Sequence, residues 1–118
     1  MPRREYKRAD ATWAAVTRQV LVGEQGETCA FHLRYFEVAP GGHTTLERHD
    51  HEHAVVVLRG EGEVELAGGP QPLAFGDLVW VAPGEPHRFR NRGAEPFGFL
   101  CTVDARRDRP QPLLDAPS

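Results

Sequence analysis

Several things are scarce in this chain, and each scarcity excludes something. There are two cysteines, Cys29 and Cys101. They stand too far apart in sequence for the paired thiols of a structural zinc site. Both lie in segments of alternating apolar residues, so both are expected to be buried free thiols rather than a disulfide. Ser118 is the only serine, which excludes a serine-nucleophile triad. No phosphate-binding loop and no nucleophile–base arrangement stands out. No apolar run reaches membrane-spanning length. Met1–Arg8 is charged and lacks the apolar stretch of a secretory signal, so a cytoplasmic location is expected. Neither sign of charge dominates: 14 Lys+Arg stand against 17 Asp+Glu, a formal net charge of −3. Without a basic stripe, nucleic acid is not an expected partner. Helical signal is nearly missing too, since only Ala9–Val16 could hold a turn or two.

What is present is punctuation. Twelve glycines and ten prolines divide short apolar segments, the pattern of many strands joined by tight turns. The expected strands are Val16–Val22, Cys29–Val38, Thr44–His49, His53–Leu58, Gly62–Leu66, Leu78–Val81, Pro86–Arg92 and Pro96–Val103. The predicted class is all-β, a closed barrel or sandwich. The length fits one domain, read as an arm over residues 1–14, a barrel over 15–105 and a tail over 106–118. Val55, Val56, Val57 and Leu58 are apolar at every position, which predicts a strand buried on both faces. Phe97, Phe99, Cys101 and Val103 alternate onto one face, and Phe89 shares a face with His87 and Asn91. Glu61, Glu63 and Glu65 alternate along one strand and read as its solvated face. Asp77, after Gly76, reads as a turn former.

Histidine is the most informative presence. Four of six fall within eleven residues, at His43, His49, His51 and His53, and His87 follows the turn Ala82–Pro86. Imidazoles and carboxylates gathered at strand ends are what a divalent metal requires. His43 is expected in a surface loop, and His32 partly buried and hydrogen-bonded on a strand.

The spacing of these residues is regular enough to compare. From Gly41, five residues lead to Glu47, one to His49, three to His53 and six to Gly60. From Gly76, five residues lead to Ala82, one to Gly84, two to His87 and three to Asn91. Both patterns resemble the two motifs of the cupins, about fifteen residues apart, over Val16 to about Val103. The first cupin motif has His-x-His and then Glu between its glycines; the second has Pro-x-Gly, His and Asn. Here Glu47 stands at the first His position and His53 at the Glu position, an exchange that keeps three imidazoles and one carboxylate. The run from Arg34 to Gly42, and Glu52-His53 before the valines, resemble a branch with His at that place.

The resemblance implies a double-stranded β-helix, or jelly-roll, barrel holding a divalent transition metal on Glu47, His49, His53 and His87. Strand geometry agrees: Glu47 and His49 share a face, His53 returns on the next strand, and His87 arrives on a third. This donor set suits Fe, Mn, Ni, Cu or Zn and is too rich in nitrogen for Mg or Ca. His51 shares the parity of Glu47 and His49, but the family register puts it in the turn at the pocket mouth; it replaces Glu47 if the register slips. Glu52 is expected to face away. Phe89, Phe99 and Cys101 are expected to line a substrate pocket, and an inward Arg among Arg34 and Arg90 would suggest an anionic substrate.

The implied function is a metal-dependent dioxygenase on a small organic substrate, with Glu47 as a candidate general base. A metal-dependent isomerase or lyase, or a non-catalytic ligand-binding barrel, uses the same residues. The resemblance further implies a homodimer, with Val16–Val22, the valine-rich strand and Met1–Asp10 as candidate contacts.

Overall fold

The computed structural model describes residues 4–5, 14–106 and 111–112. These residues form strands and turns, with no helix among them. The strands are β1 (Arg4–Glu5), β2 (Ala14–Val22), β3 (Phe31–His43), β4 (Glu47–Arg48), β5 (His53–Arg59), β6 (Gly62–Leu66), β7 (Gly69–Leu73), β8 (Leu78–Val81), β9 (Arg88–Arg90), β10 (Phe97–Asp104) and β11 (Gln111–Pro112). Nine of them make one curled antiparallel sheet in the order β7-β6-β9-β3-β10-β5-β8, with β2 also on β3 and β1 on β2. β4 and β11 form a separate pair. The predicted all-β barrel class is what the chain adopts.

The long strand β3 explains how one sheet wraps a cavity. Its first half pairs with β2 on one side and β10 on the other, through partners such as Phe36↔Arg18 and Phe36↔Phe99. Past Pro40-Gly41-Gly42 it changes partner, and His43 pairs with Arg90 of β9. Proline offers no N–H to a ladder, and Gly41 takes φ +82, so the strand turns a corner there without ending. Gly41 and Thr44 donate to the carbonyls of Asn91 and Phe89 and hold the new register. Asn91, fully buried, locks the corner: its amide donates to the Val38 and Glu95 carbonyls at 2.9 and 2.7 Å, and its oxygen accepts the Gly93 N–H. The asparagine of the second motif is therefore a structural staple. Gly60, closing the first motif, has a similar duty. A Cβ there would lie 2.1 Å from the Pro96 carbonyl oxygen, and its φ is +65.

The core follows the alternation expected of β10. Phe97, Phe99, Cys101 and Val103 point inward against Val55, Val57, Val79, Val81, Phe36, Val38 and Phe89. Phe99 sits at its centre, with ring centroids 5.5 Å from Phe36, 4.5 Å from Phe89 and 5.3 Å from Phe97. Such ring pairs add about 0.5–1.5 kcal/mol each beyond their burial.

Several expectations need correction. The strand expected over Cys29–Val38 starts at Phe31 and runs on to His43, and Cys29 is exposed. Thr44–His49 is a strand only at Glu47–Arg48. Gly68–Pro70, expected only as a break between strands, leads directly into a strand, Gly69–Leu73, because Gln71 and its neighbours find the open edge of β6. β5 is buried on one face only: Val55 and Val57 are enclosed, while Ala54 and Leu58 are exposed. Ala14–Val16 is strand rather than helix, and Ala9–Trp13 lie outside the described residues. The glutamates of β6 are not simply solvated, since Glu63 and Glu65 bind arginines of the neighbouring chain segment. His43 is half-buried at the end of β3, not in a surface loop. Asp77 does close its turn, accepting the Ala74 N–H at 2.8 Å. Of the arm, Arg4–Glu5 pairs with Thr17–Arg18 of the same chain. Of the tail, Gln111–Pro112 pairs with β4.

Candidate metal centre

Three chain segments meet at one end of the barrel. Glu47 and His87 face each other across an antiparallel bridge, each donating its N–H to the other's carbonyl at 3.1 and 2.9 Å. Gly84, in the turn before His87, donates to the His49 carbonyl, so the two motif loops are tied together. His53 opens β5 opposite Val81. Glu47 and His49 are buried while Arg48 between them is exposed, the two-residue alternation that sends both side chains inward.

The result is a nest of rings. His49, His53 and His87 each offer a ligand atom within 4.8 Å of the others, and all three are buried. Donors on opposite sides of an ion with bonds of about 2.1 Å stand about 4.2 Å apart, so these atoms are near the span of one coordination sphere. His49 Nε2 lies 3.3 Å from Glu47 Oε1, a spacing typical of adjacent ligands. His51 is half-buried in the turn; its ring stacks on His49 at 4.7 Å and lies 5.0 Å from His53. It sits at the mouth, lining both the inner cavity and a groove outside. Glu52 points outward and accepts the Trp80 indole N–H.

The protonation states suit metal binding. His87 Nδ1 lies 3.0 Å from the Glu85 carbonyl, which can only accept, so Nδ1 carries the proton and Nε2 keeps its lone pair. His53 Nδ1 contacts Cys101 Sγ at 3.3 Å, and its Nε2 has no hydrogen-bond partner. His49 Nδ1 likewise has none. Burial, then the neighbouring His87, His49 and Arg34 charges, pushes His53 from 6.5 down to about 2. Burial is also the main cause that lowers His87, against its bond to Glu85. Both are neutral at physiological pH, the form in which imidazole ligates. Orphaned buried nitrogens are costly unless something occupies them. These residues fit a divalent transition metal, and the donor set leaves its identity open.

A cavity of ≈ 60 Å³ adjoins the rings. Phe89, Phe99 and Cys101 line it, together with three contributors that sequence reasoning did not assign: Phe36, Thr44 and Thr45. Arg34 lines it as well, and Tyr35 turns outward to Glu37. Alternation puts Arg34, Phe36 and Val38 on one face, but the sequence did not say which face of this strand turns to the cavity. The two threonines follow the corner, which sequence alone did not reveal.

Residues 34–103 match the family described as the cupin domain. The chain is 48% identical over 101 residues to 1-methylthio-D-xylulose 5-phosphate methylsulfurylase of Rhodospirillum rubrum, covering 86% of this chain. It spans only 64% of that relative's length. Among solved structures, a cupin-2 domain protein of Rhodospirillum rubrum superposes with a TM-score of 0.87 at 43% identity, covering 98% of this chain and 76% of the other. A cupin 2 conserved barrel domain protein of Rhodopseudomonas palustris does so with a TM-score of 0.83 at 44% identity, covering 93% and 74%.

Proposed function

The chain belongs to the cupin family, and on that premise we propose that it is a metal-dependent enzyme acting on a small organic substrate. The observation that supports this reading most is the convergence of buried His49, His53 and His87 beside a cavity, with ring nitrogens of His49 and His53 left unpartnered. In this reading those three residues hold the metal and Glu47 is the fourth ligand, with His51 as its substitute. A divalent metal there supplies Lewis acidity toward a substrate oxygen.

The chain's own residues then do the rest. Phe36, Phe89 and Phe99 exclude water from the reacting atoms, which strengthens every charge interaction inside. With His51 as the fourth ligand in its place, Glu47, buried against His49, is placed to take a proton from a substrate carbon next to a polarised oxygen. The 48%-identical relative is named for a methylthio-substituted sugar phosphate. We extend that class here: a short, oxygen-rich carbon chain whose reacting end enters the cavity, transformed without net oxidation.

The dioxygenase reading is the second, favoured by the three-imidazole, one-carboxylate donor set and the apolar cavity wall. One experiment separates the two. The purified protein is analysed for Fe, Mn, Ni, Cu and Zn, then assayed on 1-methylthio-xylulose 5-phosphate under argon and in air, with O₂ uptake recorded. Turnover under argon supports the first reading, and strict dependence on O₂ moves the assignment to the second. Absence of turnover with the metal bound leaves a ligand-binding barrel. The homodimer remains a proposal, for which Leu78 and Trp80, exposed on the terminal strand β8, offer apolar area. A monomer in sedimentation at micromolar concentration would remove it.

A further inference from the structure

Arg34 is out of place for a structural arginine. It is 8% exposed and lines the inner cavity. Among the described residues no carboxylate lies within ion-pair distance of it. Its contacts are soft: Nη2 meets Cys101 Sγ at 3.5 Å, and the guanidinium lies over the Phe36 ring at 5.0 Å from the centroid. Its Nε–H is buried and has no acceptor. A buried charge left without a counter-charge is strongly unfavourable, and an anionic ligand would relieve it. The contrast with Arg88 is one of counter-charge, since Arg88 is equally buried but its Nη2 donates to the Glu65 carboxylate at 3.0 Å.

Position adds to the case. Cys101 Sγ touches both Arg34 and His53, so a single sulfur atom separates the guanidinium from the histidine nest. The groove on the outer side of His51 is lined by Asp50, Glu52 and Asp104. An anion is repelled there, whereas inside, among the described residues, Arg34 is the one Lys or Arg lining the cavity, set against the Glu47 carboxylate beside the histidines.

We infer that Arg34 is the anion-recognising residue of this site, and that the substrate carries a negatively charged oxygen group, carboxylate or phosphate, that docks on its Nε edge. The inference rests on the enzyme reading but sharpens it. The substrate is held at two points, by the histidine nest and by a guanidinium whose planar donors fit paired oxygens. Arg34 is thus a specificity-determining residue that orients the substrate's reacting end.

The test uses binding rather than turnover. Inorganic phosphate and oxalate are titrated calorimetrically into the full chain, both metal-loaded and chelator-stripped. For the stripped wild-type protein, at least one of the two anions binds, and that affinity falls at least tenfold in Arg34→Met. Arg34→Lys keeps the charge but loses the fork, and falls in between. A preference for phosphate assigns the group as phosphate, and a preference for oxalate assigns carboxylate. Bound metal is unchanged in all three proteins. Equal binding by wild type and Arg34→Met overturns the inference, as does binding of neither anion by the wild type. Should Arg34→Met not fold, a loss of less than about threefold in Arg34→Lys overturns it instead. A protein that holds no metal yet binds anion through Arg34 would refute the metal reading and leave this one standing.

Discussion

Two charged regions of this barrel are built on opposite terms. On the outer strands β6 and β9, every charge named has a partner: Glu65 accepts from Arg88 at 3.0 Å and Arg90 at 2.9 Å, and Glu63 accepts from Arg92 at 3.1 Å. Burial pushes the Glu65 carboxyl up, but the two arginines outweigh it and hold it below the usual range. In the cavity the difference is one of counter-charge: Arg34 meets only the Cys101 sulfur and the Phe36 ring, and nitrogens of His49 and His53 stand without a hydrogen bond. The outer charges serve register and strand pairing. The inner ones are costly where they stand unpaired. In the proposed reading, stability and binding capacity are thus placed on different faces of one sheet.

The largest effect should come from breaking the inner set. Alanine at His49, His53 or His87 removes one ligand of the proposed metal, and structural zinc sites bind with on the order of 10–16 kcal/mol in total. Metal affinity should fall about 1000-fold, read as metal per chain after dialysis. Glu47→Ala should fall less; if it loses nothing while His49→Ala loses the metal, the fourth ligand is His51.

Breaking the outer set should cost stability instead. Glu65→Gln withdraws the charge shared by Arg88 and Arg90 and should destabilise the fold by about 2 kcal/mol, with metal content unchanged. Denaturant midpoints at neutral pH check it. A drop in bound metal would show that the two regions are coupled after all.

Acid sharpens the contrast further. His53 and His87 are held neutral in the fold, with pKa values below the 6.5 they have when unfolded. Below pH 6.5 the unfolded chain takes up protons that the fold refuses. Stability of the metal-stripped protein is therefore full above that pH and falls as pH drops, by up to about 1.4 kcal/mol per pH unit for each histidine. Unfolding midpoints between pH 7.5 and 5 test this, and His53→Gln should flatten the slope. A flat profile in the wild type would show that these rings protonate freely.

The smallest effect belongs to Glu63→Gln. Its partner Arg92 is two-thirds exposed, so solvent screens the pair and the change should stay below about 0.5 kcal/mol. A larger loss would mean that the outer ladder acts as a network.

Much of this arrangement was legible before the coordinates. Two-residue alternation along β10 named its inward residues, and the glycine and histidine spacing named the two motif loops. Less legible was whatever depends on a partner strand. β7 starts in what looked like a break between strands, because prolines and glycines hide a strand that only the free edge of β6 recruits. β5 looked buried on both faces because valine is equally suited to a half-exposed strand. Cys29 looked enclosed because its neighbours are apolar, but the chain there had not yet joined the sheet.

The order of residues alone determined which side chains share a face and which turns must be tight, since period and backbone preference are local properties. It thereby fixed the histidines, the glycines and the β class. The tertiary structure alone decided what lies opposite what. It gave Arg88 a glutamate and Arg34 none, and brought Glu47 against His87 across forty residues of chain. Charge compensation acts over a few ångströms of space, and sequence distance carries no information about that.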